Sequence, residues 1–404
     1  MATSPRRAIG ILFVIALAAG FAQFGAVASL NDVARHFGHV EATGSLRSVV
    51  GLSGSVIGIG LAVVRLASLA ALPVTALADH RGRIRVVRAA LLAGLLATSA
   101  AALIPNYWFF VACFALARPL LTAVSTVVQV LTVELSSTSQ RIHRLVIMAA
   151  GAGAGSGLSA ILHGLIRGPG SFRWLFALTL VPVVLITPLV GRIPESHRHG
   201  DDLVRLGAVP RDERGRLISV ALVAFAAGMV TGPANGFAFV YAEGILKLAP
   251  HVVAGIVVAS AATGLAGLIA SRTLSRSIGR RATVTIGLVA LAVTSTLAYS
   301  GGRVSFVLGY MIGVAAAGVF APAASALSTE IFSRRVRSTA AGWVALAGIL
   351  GATAGLALFG VIGDSVHVAA VSSLRLPALV TFLPLLPTLV LLVRVPESRG
   401  VDID

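Results

Sequence analysis

Charged side chains and cysteine are scarce in this chain of 404 residues. Only 12% of the residues are Asp, Glu, Lys or Arg, whereas 57% are hydrophobic, and the mean hydropathy is +0.94. A soluble globular chain does not need so much apolar surface, but a protein with many membrane spans does. The single cysteine, Cys113, lies inside an apolar run, which excludes an internal disulfide and a cysteine-based metal site. The composition predicts an all-α membrane protein, and we expect no metal and no other cofactor.

Lysine is also nearly absent, since Lys247 is the only one. The formal net charge of +17 therefore comes almost wholly from arginine. Such a basic balance is found in nucleic-acid-binding proteins, but these arginines lie in short segments between apolar runs. Anionic lipid headgroups and membrane orientation explain that distribution better. We predict the lipid bilayer as a partner and no nucleic acid.

Twelve apolar runs are long enough to cross a bilayer as helices. The predicted spans lie near residues 8–30, 48–77, 86–104, 107–132, 145–167 and 172–191, and then near 217–241, 252–274, 282–300, 304–328, 338–362 and 374–393. The polar segment 192–216 is predicted to link an N-terminal six-helix bundle, residues 1–191, to a C-terminal bundle, residues 217–404. The first run is longer than the apolar core of a signal peptide, so we expect it to remain as the first helix.

The distribution of arginine predicts the orientation in the membrane. Most of the 32 basic residues fall in alternate loops, which the positive-inside rule assigns to the cytoplasm. Both termini are therefore predicted to be cytoplasmic, in a multi-pass protein of the cell (inner) membrane.

The turn between the second and third predicted spans, Ala76 to Arg88, reads ALADHRGRIRVVR and holds the densest group of charges. Gly82 allows the chain to reverse without a Cβ penalty. Asp79, at the end of the incoming helix, is placed to form an ion pair with an arginine of the same half.

This turn resembles the cytoplasmic signature of the major facilitator superfamily, which is Gly, three residues, Asp, Arg, any residue, Gly and two basic residues. Three residues match it, namely Asp79, Gly82 and Arg83, and three replace signature residues, namely Thr75, His80 and Ile84. The resemblance implies twelve helices in two pseudo-symmetric six-helix bundles. It also implies that Asp79, Gly82 and Arg83 form a conformational latch.

The two halves of the sequence repeat each other. Ser275 to Arg281 (SRSIGRR) recurs at the position of the first turn, with Gly279 at the position of its glycine. Arg276 takes the place of the aspartate, so we expect the second turn to lack its anionic partner. Glu134 and Glu330 each end the fourth span of their half. A six-helix half repeated in parallel is the plan of these transporters.

Two glycine pairs at a spacing of four predict close helix packing in lipid: Gly151 with Gly155, and Gly351 with Gly355. The first pair lies in the run AGAGAGSG, which also resembles a dinucleotide-binding loop. No strand precedes this run and it lies in the middle of a span, which favours packing.

In the seventh span, Gly228 and Gly232 are followed by Pro233, a pattern that indicates a kinked helix beside a cavity. Asn235 would then be a substrate contact. A purely structural kink is the alternative.

Acidic residues are absent from the middle of every predicted span. The proton-coupled drug exporters of the superfamily often carry an aspartate in the first helix, but Ala22 occupies the corresponding position here. Asp32, at the outer end of that helix, is expected to be solvated, with a role in proton coupling as the alternative. A proton is the candidate coupling ion.

Two arginines, Arg65 and Arg118, fall inside the second and fourth predicted spans. Arg65 lies roughly 21 Å along the helix from Asp79 and Arg118 roughly 24 Å from Glu134, which gives them similar depths. A mid-span arginine costs about 2.5–3.5 kcal/mol to insert, so it normally faces a cavity or a partner. We predict that both bind an anionic substrate. The alternative is that Arg118, which resembles the fourth-helix arginine of proton-coupled members, braces neighbouring helices.

These features predict a monomeric secondary transporter that moves a small solute by alternating access, and not an enzyme. The solute would be anionic or carboxylate-bearing, or a drug-like efflux substrate. The alternative is a transport-inactive sensor or a membrane-embedded enzyme on the same helices. An enzyme would need a cluster of catalytic groups, and His163, His251 and His367 are scattered without ligand spacing.

Overall fold

The computed structural model describes residues 5–39, 50–137, 140–166, 168, 170–193, 210–333, 336–365, 373–395 and 397. Within these ranges the regular structure is entirely helical, and 12 helical segments are long and apolar enough to cross a membrane. The predicted all-α class and the number of spans are therefore confirmed.

The helices of the first half are α1 (Pro5–Ala28), α2 (Leu30–Phe37), α3 (Gly54–Ala67), α4 (Ala71–Arg81), α5 (Arg83–Ala100), α6 (Tyr107–Glu134), α7 (Arg141–Leu165), α8 (Ser171–Ala177), α9 (Leu180–Leu185) and α10 (Thr187–Val190). Those of the second half are α11 (Arg211–Gly236), α12 (Pro250–Ser277), α13 (Arg280–Ala298), α14 (Arg303–Glu330), α15 (Arg337–Ser365), α16 (Arg375–Phe382) and α17 (Leu385–Arg394). A π-helical turn, Val240–Ile245, follows α11. The second span consists of α3 and α4, the sixth of α8 to α10, and the twelfth of α16 and α17.

A short 3₁₀ turn interrupts the second span close to Arg65. A 3₁₀ turn, Ser68–Ala70, joins α3 to α4. Pro73 has no N–H to donate to the carbonyl four residues earlier, which explains why the α-helical hydrogen-bond pattern fails there. Arg65 consequently lies in the last turn of α3, directly before the break.

By its internal contacts the chain separates into two compact units. Unit 1 comprises Met1–Phe37, Val63–Asp201 and Ala249–Ala254, and unit 2 comprises Gly38–Ala62, Asp202–Leu248 and Gly255–Asp404. Helix α3 is thus divided, because its residues up to Ala62 pack within unit 2. The division of the sequence into bundles at residues 192–216 stays a prediction, and most of that linker lies outside the described residues.

Each unit has its own apolar core, built from corresponding helices. In unit 1, α1, α5 and α6 contribute Leu12, Leu91 and Leu121, all of which are buried. In unit 2, α11, α13 and α14 contribute residues such as Val230, Leu288 and Leu327, which are also buried. The first, third and fourth spans of each half therefore meet in the same way.

Glycines bring α1 and α7 into close contact in unit 1. A Cβ placed at Gly151 would lie 3.0 Å from the carbonyl oxygen of Phe13, and one at Gly155 would meet the backbone of Leu17. Gly153, between them in the sequence, has nothing within 4 Å. Since lipid supplies no hydrophobic force between helices, close van der Waals packing of this kind is what holds the pair together.

The same arrangement recurs in unit 2 between α11 and α15. A Cβ at Gly355 would lie 2.8 Å from the Cα of Met229, and one at Gly351 would meet the backbone of Phe225. On α11, Gly228 and Gly232 face the backbone of Ala352, which belongs to α15. Gly228 and Gly232 therefore pack against α15 rather than line a cavity, and α11 continues through Pro233 to Gly236.

Candidate functional site

The charged turn of the first half is organised by Arg83. Gly82 has a φ of 98°, which a residue with a side chain rarely adopts, and it joins α4 to α5. Nη2 of Arg83 lies 3.0 Å from Oδ1 of Asp79, and Nη1 donates a hydrogen bond to Glu134 at the end of α6. One guanidinium group thus ties the ends of α4 and α6 to the start of α5. The ion pair between Asp79 and an arginine of its own half is present, whereas the part played by Glu134 was not predicted.

The second turn has anionic partners, contrary to our expectation. Arg276 does occupy the position of the aspartate, but Nε of Arg280 lies 2.5 Å from Oε2 of Glu330. The carboxylate of Glu397 accepts hydrogen bonds from the backbone N–H groups of Arg280, at 2.8 Å, and Arg281, at 3.1 Å. These groups are the unpaired donors at the start of α13, and a carboxylate there also interacts favourably with the helix dipole. The prediction that this turn lacks an anionic partner was therefore wrong.

The two mid-span arginines belong to the same unit and influence each other. The Nε atoms of Arg65 and Arg118 are both buried and have no hydrogen-bond partner among the described residues. Neither guanidinium forms an ion pair with a described carboxylate. The two positive charges repel each other across the interior of unit 1. This arrangement is costly unless water or an anion accepts the unused N–H groups.

Asn235 is placed differently from these arginines. It lies in the last turn of α11, in unit 2, where its side chain is exposed. Its Nδ2 atom donates a hydrogen bond to the carbonyl oxygen of Thr231, at 2.9 Å. The amide oxygen and the second N–H of Nδ2 are then left for a ligand, and a substrate contact at Asn235 stays a prediction.

Asp32 makes specific contacts in unit 1, near the start of α2. Its Oδ2 atom accepts a hydrogen bond from Oγ of Ser171, at 3.0 Å, and lies 3.6 Å from Nδ1 of His163. His163 is only 3% exposed. The carboxylate thereby connects α2, α7 and α8, and the expectation of a merely solvated helix-end aspartate was wrong. No sequence spacing indicated this pairing, because the partners come from distant segments.

Asp364 makes a comparable contact within unit 2. Asp364 follows the eleventh predicted span, near residues 338–362, but it lies in the last turn of α15. Its Oδ2 atom accepts a hydrogen bond from the backbone N–H of Ser55, at 2.9 Å, and its Oδ1 atom accepts one from that of Gly54. The carboxylate therefore satisfies unpaired donors at the start of α3. Gly58 and Gly360 let the two helix backbones approach next to it.

Metal chemistry has no evident site in the described ranges. No group of three or more His, Cys, Asp and Glu side chains is arranged there to hold an ion. The concentrations of functional groups are instead the two turns, the arginine pair and the carboxylates of Asp32 and Asp364.

Comparison with known proteins places these features in a common fold. The family model described as Major Facilitator Superfamily matches residues 12–208. The xylose transporter XylE from E. coli is 14% identical with a TM-score of 0.76, and the match covers 99% of this chain and 98% of that one. A bacterial homologue of the human lysosomal transporter Spinster is 12% identical with a TM-score of 0.76 over 98% and 97% of the chains. The human organic anion transporter MFSD10 is 17% identical with a TM-score of 0.67 over 96% and 100%.

These similarities establish the architecture and leave the substrate open. One of these three transporters is described as carrying xylose and another as carrying organic anions, and at such low identity they show only a shared fold. No curated protein matches the sequence. The nature of the solute has to be argued from the residues of this chain.

Proposed function

Because the chain belongs to the major facilitator superfamily, we propose that it is a secondary transporter that moves a small anionic solute by alternating access. The solute would carry a carboxylate or a similar group. Both termini would lie in the cytoplasm, as the arginine distribution predicts. Transport, rather than catalysis, is the activity that this fold and these sites support.

The observation that carries the proposal is a pair of half-buried arginines whose buried Nε atoms have no partner among the described residues. Arg65 and Arg118 each present an unused N–H inside unit 1, and their charges repel. An anion between them would accept hydrogen bonds and remove the repulsion at once. A hydrogen bond to a charged group contributes about 1.5–3 kcal/mol, and the fork of a guanidinium matches a carboxylate in shape. A neutral solute would leave the repulsion in place.

The other residues then act on conformation. Asp79, Gly82 and Arg83, with Glu134, form the latch that would steady the outward-facing state. The glycine contacts of α1 with α7 and of α11 with α15 would keep each unit rigid while the units move. Asn235 would provide a polar contact to the solute.

Binding to the purified protein tests the arginine site directly. A thermal-shift screen with carboxylates, organic phosphates, sugars, amino acids and cationic drugs should show stabilisation by an anion. Arg65→Gln and Arg118→Gln should each weaken that binding by about tenfold or more, because each removes a charged contact. Arg85→Gln, at an exposed arginine of the turn, is the matched control and should bind normally. If a cationic or neutral compound is bound unchanged by both variants, the anion site is wrong.

A proton is the coupling ion that we propose, with Asp32 and His163 as its binding pair. A buried imidazole beside a carboxylate is the arrangement in unit 1 that supports a proton carrier. In proteoliposomes, a pH gradient should drive accumulation of the solute by the wild type. His163→Gln should lose this response while it still exchanges solute at equal pH. A gradient response that is unchanged in the variant would exclude the pair.

Flux separates transport from the second candidate function. A sensor that keeps the fold would bind the solute in the thermal-shift assay but would not move it into sealed vesicles. Saturable uptake that Arg65→Gln and Arg118→Gln both reduce would establish the transporter.

A further inference from the structure

A basic cavity lies in unit 2, apart from every residue used above to bind solute. It has a volume of about 550 Å³ and is lined by the last turns of α12 together with α14. Its lining includes Arg272, Arg276 and Arg280 on one side and Pro322 on the other. A second depression, of about 600 Å³, is lined by the same Arg272 and Arg276. Two arginines therefore border both spaces.

The charge of this cavity is only partly compensated. Arg280 pairs with Glu330, as described above. Arg272 and Arg276 form no ion pair or hydrogen bond with the described residues, and both are exposed. They lie four residues apart on the same face of α12, where like charges destabilise a helix. Ser271, next to them, uses its hydroxyl to donate to the carbonyl oxygen of Val319, at 2.8 Å. The guanidinium groups of Arg272 and Arg276 are thus donors of the cavity that no described residue accepts.

The depth of these arginines is that of lipid headgroups. Helix α12 has 28 residues and is therefore roughly 42 Å long, more than the ~30 Å of the hydrocarbon core. Arg272 and Arg276 fall in its last six residues, within roughly 9 Å of its end. The end of such a helix lies in the polar layer, where the negative group is a phosphate.

We propose that this cavity binds a phosphate group, held by Arg272 and Arg276. Paired guanidinium groups offer forked donors to the oxygens of a tetrahedral anion, and arginine is well suited to that geometry. The phosphate belongs either to an anionic phospholipid or to a soluble phosphate compound. In both cases bound phosphate neutralises the charged end of α12 next to the second turn.

Binding to the full-length protein in neutral detergent distinguishes the two sources. One arm adds fluorescent phosphatidylglycerol, with phosphatidylcholine as the uncharged comparison, and the other arm adds inorganic phosphate. The variants are Arg272→Gln/Arg276→Gln and, as matched control, Arg81→Gln/Arg85→Gln, which removes two exposed arginines four residues apart that line neither space. Removal of two charged contacts should weaken binding by about tenfold or more.

Each result decides the proposal. Phosphatidylglycerol binding that only the Arg272/Arg276 variant loses supports it, with lipid as the source. Inorganic phosphate binding that the same variant loses supports it, with a soluble phosphate as the source. Equal losses in both variants overturn it, because general surface charge then explains the binding, and so does the absence of binding in both arms. If the glutamine variant does not fold, Arg272→Lys/Arg276→Lys keeps the charge but removes the forks, and unchanged binding by that variant also overturns it.

Discussion

The turns of the two halves share a central contact and differ in what surrounds it. In each turn a glycine with positive φ is followed by an arginine, Arg83 or Arg280, that contacts the glutamate ending the fourth span of its half. In the first turn an aspartate from the preceding helix adds a second carboxylate to the same guanidinium. In the second turn Glu397 instead binds backbone N–H groups. The repeated element is therefore the Arg–Glu contact between the third and fourth spans.

The second turn shows that the Arg–Glu contact does not require the aspartate of the superfamily signature. Asp79 is an addition to a contact that exists without it in the second half. Arg83, which touches both Asp79 and Glu134, is only 13% exposed, whereas Arg280 is 33% exposed. A single substitution at Arg83 should therefore reduce stability more than one at Arg280.

The largest effect is expected from Arg83→Gln. It removes two ionic contacts, one to Asp79 and one to the carboxylate of Glu134, which is 19% exposed. We expect a loss of about 1.5–3 kcal/mol in stability and a strong loss of transport, because hydrogen bonds to charged groups are of that size. Melting temperature and uptake at equal surface expression measure both. Arg280→Gln is the control and should cost less; an equal cost in the two variants would show that Asp79 adds nothing.

A smaller effect, mainly on transport, is expected from Asp79→Asn. Asp79 is 37% exposed, and solvent weakens its ion pair with Arg83, so folding and membrane insertion should be close to normal. Cycling between conformations should slow, since the latch is weakened while Glu134 still contacts Arg83. Initial uptake rates in vesicles of neutral lipid measure this effect.

Arg276→Asp places a carboxylate in the second turn at the position that Asp79 occupies in the first. It should change uptake less than Asp79→Asn does. Equal transport by Asp79→Asn and the wild type would show that Asp79 is not part of a latch. A larger loss of uptake in Arg276→Asp than in Asp79→Asn would show that the second turn makes an essential contact of its own.

Sequence patterns predicted the parts of this protein that depend on local composition. Length and hydropathy are sufficient for twelve spans, and the turn motif was sufficient to predict that Asp79 pairs with an arginine of its own half. The contacts of Asp32 with His163 and of Asp364 with the start of α3 were not predicted. They join segments far apart in the chain, and nothing in local periodicity reports which helix ends become neighbours. Glu330 was visible as the repeat of Glu134, but its partner depends on how α13 and α14 pack.

The smallest effect is expected from Glu397→Gln, which tests the feature that is particular to the second turn. The amide oxygen can still accept one of the backbone hydrogen bonds at the start of α13, so the loss is mainly that of the charge near the helix N-terminus. Such an interaction contributes about 0.3–1 kcal/mol and is screened by salt. We therefore expect a slightly lower melting temperature at low ionic strength and almost none of that difference at high ionic strength. The sequence RVPES at residues 394–398 repeats RIPES at residues 192–196, which places Glu195 at the corresponding position of the first half. Glu195 lies outside the described residues, and Glu195→Gln is the matched variant. A salt-independent loss at Glu397, or a loss as large as that of Arg280→Gln, would mean that Glu397 holds the turn through its hydrogen bonds and not through its charge.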